Sequence, residues 1–150
     1  MKLGIAADHG GYDLKEQIKK HVEAKGIEII DYGTHSLESV DYPDYAYKLT
    51  TAVLGKEVDL GIAICGTGVG ISIACNKVEG IRAAHCTDSF TARATRQHND
   101  ANIICLGGRI TGIEIAKDII DNFLESSFDG GRHQNRINKI TAIEKGEYNV

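Results

Sequence analysis

The chain has 150 residues, a formal net charge of −4 and 42% hydrophobic residues. That length is one domain's worth with enough apolar material for a core, and the acidic balance offers no basic field for nucleic acid. No apolar run approaches the roughly 20 residues of a membrane span, and MKLGIAADHGG reaches a charged residue too soon for a signal peptide. The expectation is a single domain over residues 1–150, in the cytoplasm, with no nucleic-acid and no membrane partner.

Apolar strands alternate with amphipathic helices along the whole chain. Lys2–Ala6 reads as the first strand. Tyr12–Lys25 reads as a helix with Leu14, Ile18 and Val22 on one face and Gly26 as its stop. A second strand follows at Ile27–Asp31. The loop Gly33–Tyr42 leads to Pro43, the only proline, which suits a first helical turn; Ala46, Leu49 and Val53 form the stripe of that helix. Val58–Ile64 is the third strand, followed by a short helix over about Val69–Asn76. Next comes a strand at Ile81–His85, then a helix capped by Asp88 and running to about Gln97. Asn102–Leu106 is the fifth strand. Thr111-Gly112-Ile113-Glu114 reads as a capping box ahead of a helix carrying Ala116, Ile119, Ile120, Phe123 and Leu124. A more polar helix begins near Arg132.

This alternation predicts a three-layer α/β/α fold of Rossmann or flavodoxin-like type, with a five-stranded parallel sheet covered on both faces. Ligands of such folds bind beyond the carboxyl ends of the strands. Those ends hold Asp8-His9-Gly10-Gly11, Cys65–Gly70, Asp88 and Gly107-Gly108-Arg109.

The stretch VDLGIAICGTGVG, Val58 to Gly70, is the most telling of these. A strand stops at a thiol, Cys65, and opens into the glycine-rich turn Gly66-Thr67-Gly68-Val69-Gly70. A dinucleotide fingerprint would need its third glycine one place later, where Ile71 stands; a P-loop would need Gly-Lys-Ser/Thr. A cysteine phosphatase would need an arginine a few residues past the thiol, and the first one is Arg82. An open nest of amides beside a thiol remains. It suits an oxyanion that develops next to a cysteine acting as nucleophile or base, and amides and helix dipole favour the thiolate. The bland alternative is a buried cysteine at a tight turn. Thr67 offers a hydroxyl two residues on.

The other polar candidates are individually less specific. His9 could bind an anion, move protons or cap the first helix. His98, near a helix end, could answer its dipole. Arg132 and Arg136 stand one helical turn apart and share a face, an arrangement that suits a phosphate dianion or a solvated surface. Arg109 follows two glycines at a strand end. The four cysteines (Cys65, Cys75, Cys86, Cys105) form no CxxC pair and read as reduced thiols, the last three as packing residues. His85-Cys86 has no partner cluster in the sequence, so no metal site is expected.

Taken together and in order, DHGGYDLK, VDYPDYA, ICGTGVGISIACNK, GIRAA, RQHNDANIICLGGR and GGRHQNRINKI resemble the type B ribose-5-phosphate isomerases, over nearly the whole chain to about Ile140. The resemblance implies an aldose–ketose isomerase that interconverts D-ribose 5-phosphate and D-ribulose 5-phosphate through a cis-enediolate. It makes Cys65 the general base and Thr67 a proton-transfer partner. Amides of Gly66, Gly68 and Gly70 hold the enediolate oxygen. His98 opens the furanose ring with Asp8 nearby. His9, Arg132 and Arg136 bind phosphate with Arg109 close, while Asn99 and Tyr42 contact the sugar. It implies no cofactor and no metal, a phosphorylated sugar as substrate, and a homodimer or homotetramer with shared sites, in which the C-terminal helix reaches a neighbouring subunit. A glutamate at position 75 would mark another branch; Cys75 with Cys65 places this chain on the cysteine side. An allose-6-phosphate or other hexose-phosphate isomerase, and a non-catalytic sugar-phosphate-binding module, stay as alternatives.

Overall fold

The computed structural model describes residues 1–150. Five strands form one parallel sheet: β1 (Lys2–Ala7), β2 (Glu28–Asp31), β3 (Leu60–Cys65), β4 (Ala83–His85) and β5 (Ile103–Gly107). Their order across the sheet is β2-β1-β3-β5-β4. Six helices complete the chain: α1 (Tyr12–Ala24), α2 (Tyr42–Leu54), α3 (Val69–Cys75), α4 (Ser89–Asn99), α5 (Ile113–Leu124) and α6 (Arg132–Glu144).

The strand order decides which face each helix covers. A right-handed crossover that steps one way along a parallel sheet lands its helix on one face, and a step the other way lands it on the opposite face. From β1 to β2 and from β4 to β5 the chain steps in one direction, so α1 and α4 share a face. The steps β2 to β3 and β3 to β4 run the other way and carry α2 and α3. The two cores match this account. Leu14, Ile18, Val22, Ala92, Ala116, Ile119 and Phe123 pack with Leu3, Ile5, Ile62, Ile64 and Leu106 on the α1/α4/α5 side. Ala46, Leu49, Val53, Ile71 and Cys75 pack with Ala6, Ala63, Cys65, Ile103 and Cys105 on the α2/α3 side.

Local signals explain most of the boundaries. The Asp88 side chain accepts a hydrogen bond from the Thr91 N–H at 2.8 Å and so caps α4 as its sequence predicts. Pro43 lies in the first turn of α2. The expected capping box at Thr111–Glu114 does not form. Gly112 is the N-cap and has no side-chain oxygen, so Glu114 falls at the second helical position, too early to reach back to the cap, and its carboxylate binds Lys117 at 2.9 Å instead. β4 is also shorter than the expected Ile81–His85, because only Ala83, Ala84 and His85 pair with β5.

One charged cluster is built into the joint between α1 and β2. Lys15 is fully buried, with its Nζ 2.5 Å from Asp31 Oδ2 and 2.6 Å from Glu16 Oε1. Lys19 reaches the same Asp31 oxygen at 2.6 Å, and Asp31 Oδ1 accepts the Gly33 N–H at 2.9 Å. Burial pushes the Asp31 carboxyl up, but the hydrogen bonds from Lys15, Lys19 and the Gly33 N–H outweigh it, and the group titrates below its ordinary value. Asp31→Asn removes the carboxylate that Lys15 and Lys19 share and leaves the buried ammonium with Glu16 alone, so it should cost about 3 kcal/mol. Because the folded carboxyl titrates low, its stabilisation is full above the unfolded value of about 4 and fades as pH falls through the folded one. Urea unfolding of parent and variant should therefore show a gap at pH 7 that closes on acidification. Equal stability at pH 7 would refute the account.

Candidate active site

The strand order also locates the site. After β1 and β5 the chain leaves toward the α1/α5 face, whereas after β3, which lies between them, it leaves toward the α3 face. Loops that part in opposite directions mark where ligands of parallel sheets bind, at the carboxyl ends of the strands, and β3 ends there in Cys65.

Backbone packs on backbone around that end. The Asp8 N–H donates to Ile64 O at 3.1 Å, Gly108 N–H to Cys65 O at 2.8 Å and Arg109 N–H to Gly66 O at 2.9 Å, extending both ladders past the strands. A Cβ on Gly10 would lie 3.0 Å from the Gly66 backbone, so the β1 and β3 loops touch only because that side chain is missing. Asp8 is buried, and its Oδ1 accepts the Gly10 and Gly11 N–H groups at 2.9 and 3.1 Å. It thereby holds the turn and leaves Oδ2 for a ligand.

Cys65 is 4% exposed, and its Sγ accepts the Gly68 N–H at 3.1 Å. A backbone donor aimed at sulfur is the arrangement that stabilises a thiolate. Gly68 makes this possible with φ at +81°, in the left-handed region, and a Cβ there would lie 2.7 Å from the His85 ring. Thr67 is exposed, and its Oγ1 accepts the Val69 N–H at 3.3 Å, which leaves the hydroxyl proton free to donate. The Arg109 guanidinium lies over Gly66, 3.0 Å from where a Cβ would be, and the Tyr42 ring lies over Gly70 at 2.8 Å by the same measure. His9 Nδ1 accepts the Val40 N–H at 3.1 Å. Its Nε2 is thus the ring atom left to meet a ligand. Cys65, Thr67, Asp8, His9, Tyr42, Arg109 and the turn Gly66, Gly68, Gly70 are accordingly brought to one edge.

The remaining thiols differ from Cys65. Hydrogen bonding with Cys75 and then burial hold the Cys105 thiol well above its ordinary value, and burial raises Cys86. Both are packing residues, as their apolar surroundings imply.

Four expected site residues lie elsewhere. α4 runs antiparallel to the strands, so His98 and Asn99 at its end sit at the amino edge of the sheet, about 15–20 Å from the carboxyl edge, given strands of this length. α6 stays on that edge as well. His133 stacks on His98 with ring centroids 4.4 Å apart, and Glu144 accepts the Gly80 N–H. Arg132 and Arg136 are exposed on α6. Within one chain these four do not meet Cys65. The largest cleft, about 700 Å³, opens beside them between α6, β4 and α4, lined by Ile81, Arg82, Asn99, Ile140 and Ile143. No cleft of the single chain is lined by Cys65.

His98, Asp129 and His133 bring three donor atoms within 4.8 Å of one another, a grouping that local spacing did not disclose. The two rings are nearly parallel, 10° apart, so their nitrogens point side by side and not toward a common centre. That is a poor fit to the converging ligands of a tetrahedral ion. Burial and the nearby His98, Arg132 and Arg136 charges keep His133 below its ordinary pKa.

Comparison with known proteins follows the same lines. The family model described as Ribose/Galactose Isomerase matches residues 3–140. The chain belongs to that family. It is 51% identical to ribose-5-phosphate isomerase B of Escherichia coli over 144 residues, 96% of this chain and 97% of the relative. A ribose-5-phosphate isomerase B structure from Clostridium thermocellum superposes with a TM-score of 0.96 at 56% identity, covering 99% of this chain and 100% of that one. The Mycoplasma genitalium enzyme, solved with bound ribulose-5-phosphate, gives a TM-score of 0.91 at 42% identity, with 96% of each chain covered. The five-stranded parallel sheet and its helices are thus those of this isomerase family.

The Gly68 contact is directly testable. Gly68→Ala forces a left-handed backbone on a residue with a Cβ and drives that Cβ into His85. Its isomerase turnover should fall by about 100-fold, the scale of losing one oxyanion-type donor, with the far-UV circular dichroism of the parent retained. Turnover equal to the parent's would show that the amide is not used.

Proposed function

We propose that this chain is an aldose–ketose isomerase acting on D-ribose 5-phosphate and D-ribulose 5-phosphate. The observation that carries this reading is the Cys65 sulfur at the switch point of the sheet, with the Gly68 N–H donating to it. Family membership and 51% identity to a ribose-5-phosphate isomerase B support the reaction class.

The phosphate is bound by His9, Arg132 and Arg136, with Arg109 close. His98, with Asp8, opens the furanose ring. Cys65 as thiolate then removes the proton on C2, and the electron pair moves onto the carbonyl oxygen at C1 to give the cis-enediolate. With the Gly68 N–H given to the sulfur, the amides of Gly66 and Gly70 in the same turn stabilise the charge on that oxygen. Thr67, whose hydroxyl keeps its proton free, exchanges the proton between the two sugar oxygens. The Cys65 thiol returns its proton to C1, yielding the ketose. Tyr42 and Asn99 contact the sugar. All the groups in this scheme are amides and side chains of the protein.

We further propose that a second copy completes the site, in a homodimer or a homotetramer. His98, Asn99, Arg132 and Arg136 lie on the far edge of their own sheet, so they serve a crevice only if a neighbouring chain presents its α4–α6 edge to it. Four free cysteines, all buried, fit a reducing cytoplasm, and no helix is long and apolar enough to cross a membrane.

Two measurements test these statements. Cys65→Ala should lose turnover of ribose 5-phosphate while still binding ribulose 5-phosphate in calorimetry. A kcat near the parent's would remove Cys65 as the base, and a parallel assay with allose 6-phosphate separates pentose from hexose preference. For the shared site, Cys65→Ala and Arg132→Ala chains, each inactive alone, are refolded together. In a two-fold dimer one of the two mixed sites is intact, so an equal mixture should recover about a quarter of parental activity. No recovery from mixed oligomers would place both residues in the same chain's site.

A further inference from the structure

His85, an exposed residue at the end of β4, has no part in the scheme above, yet its ring is the side chain nearest the Cβ position of Gly68. We propose that His85 is a positioning residue for the isomerisation: it packs against the side of the Gly68 turn and keeps the Gly68 N–H aimed at the Cys65 sulfur. This inference rests on the reading of Cys65 as the base.

The placement follows from strand alternation. Ala84 packs on the α1/α4/α5 side and Ala83 on the α2/α3 side. His85, two residues beyond Ala83, therefore faces the same side as Cys65 and Cys105, and Cys105 is its register partner on β5. The next β5 position on that side is Gly107, which has no side chain. The Thr67 backbone fills that space, its carbonyl oxygen 2.6 Å from where a Gly107 Cβ would be. The turn thus sinks onto β5 and meets His85 sideways. The His85 Cδ2 and Nε2 atoms lie 2.7 and 2.9 Å from the Cβ position of Gly68, and the Leu106 carbonyl carbon lies 2.8 Å from it.

A glycine with positive φ has wide freedom when nothing confines it. Here a ring and a strand carbonyl bracket it. The amide being confined is the one that donates to Sγ at 3.1 Å. A hydrogen bond this directional weakens steeply when its angle opens, so a turn that rocks away from the sulfur destabilises the thiolate without disturbing the phosphate end of the crevice. The effect should fall on the chemical step and leave substrate affinity alone.

The experiment compares His85→Ala and His85→Leu with the parent. It reads kcat and KM for ribose 5-phosphate, and the pH dependence of iodoacetamide alkylation at Cys65, located by peptide mass spectrometry. His85→Ala should lower kcat about tenfold with KM within about twofold, and should raise the alkylation midpoint by about one pH unit. His85→Leu, which restores bulk but no titratable group, should recover most of both. If His85→Ala does not fold, His85→Ser is read the same way. Parental kcat and alkylation in the alanine variant would overturn the proposal. So would a loss confined to KM, or a leucine variant as defective as alanine. Failure of the underlying reading is separate: an active Cys65→Ala enzyme removes the base itself, whereas an inactive one beside an unaffected His85→Ala removes only the role of His85.

Discussion

Backbone-to-backbone contact among three loops is what the site depends on. Gly108 after β5 approaches Gly10 of the β1 loop too closely for a Cβ, Gly10 in turn lies tight against Gly66 after β3, and ladder-type hydrogen bonds from Asp8, Gly108 and Arg109 tie these loops together. Side chains could not hold a sulfur and a set of amides with comparable rigidity, because each would bring its own rotamer freedom. The position of Cys65 is therefore a property of the sheet. The polar residues around it adapt to a floor already set, and the cost of moving that floor is the cost of breaking the sheet's end. Preorganisation of this kind is what makes fixed dipoles effective against a developing charge.

Much of this was legible in the residues, and the reasons are physical. Leu14, Ile18 and Val22 recur at helical spacing because a helix on a sheet buries one stripe, and α1 buries those side chains. Asp88 and Pro43 act within three or four residues of themselves, so local reading finds them. Cys65 followed by glycines at a strand end marks the crevice because the ligand rule for parallel sheets needs only the strand's direction. The capping box failed for an equally local reason: its middle residue, Gly112, took the cap position and shifted the frame by one.

What stayed illegible depends on the order of strands. β5 lies between β3 and β4, and periodicity carries no trace of that insertion. It is the insertion that brings His85 beside Cys105 and against Gly68. The direction of α4 does not depend on it: any crossover between parallel strands returns the chain, and with it His98 and Asn99, to the amino edge. Arg132 and Arg136 share a face, as their spacing says, but nothing in that spacing tells which edge of the molecule the face looks from. Lys15 shows the same limit: a lysine on the apolar stripe of α1 is fully buried because Asp31, sixteen residues on, meets it.

The inserted strand has a consequence for how the chain is made. β4 has one hydrogen-bonded neighbour, β5, which is synthesised later. While a nascent chain emerges amino end first, β1, β2 and β3 can zip together as soon as residue 65 clears the ribosome. The segment from α3 to α4 then has no strand to pair with until residues 103–107 follow. During that interval the end of β3 lacks the Gly108 and Arg109 amides that later pair with the Cys65 and Gly66 carbonyls. Vectorial synthesis thus exposes the Cys65 thiol before the sheet is complete around it, and a reducing surrounding matters most at that moment.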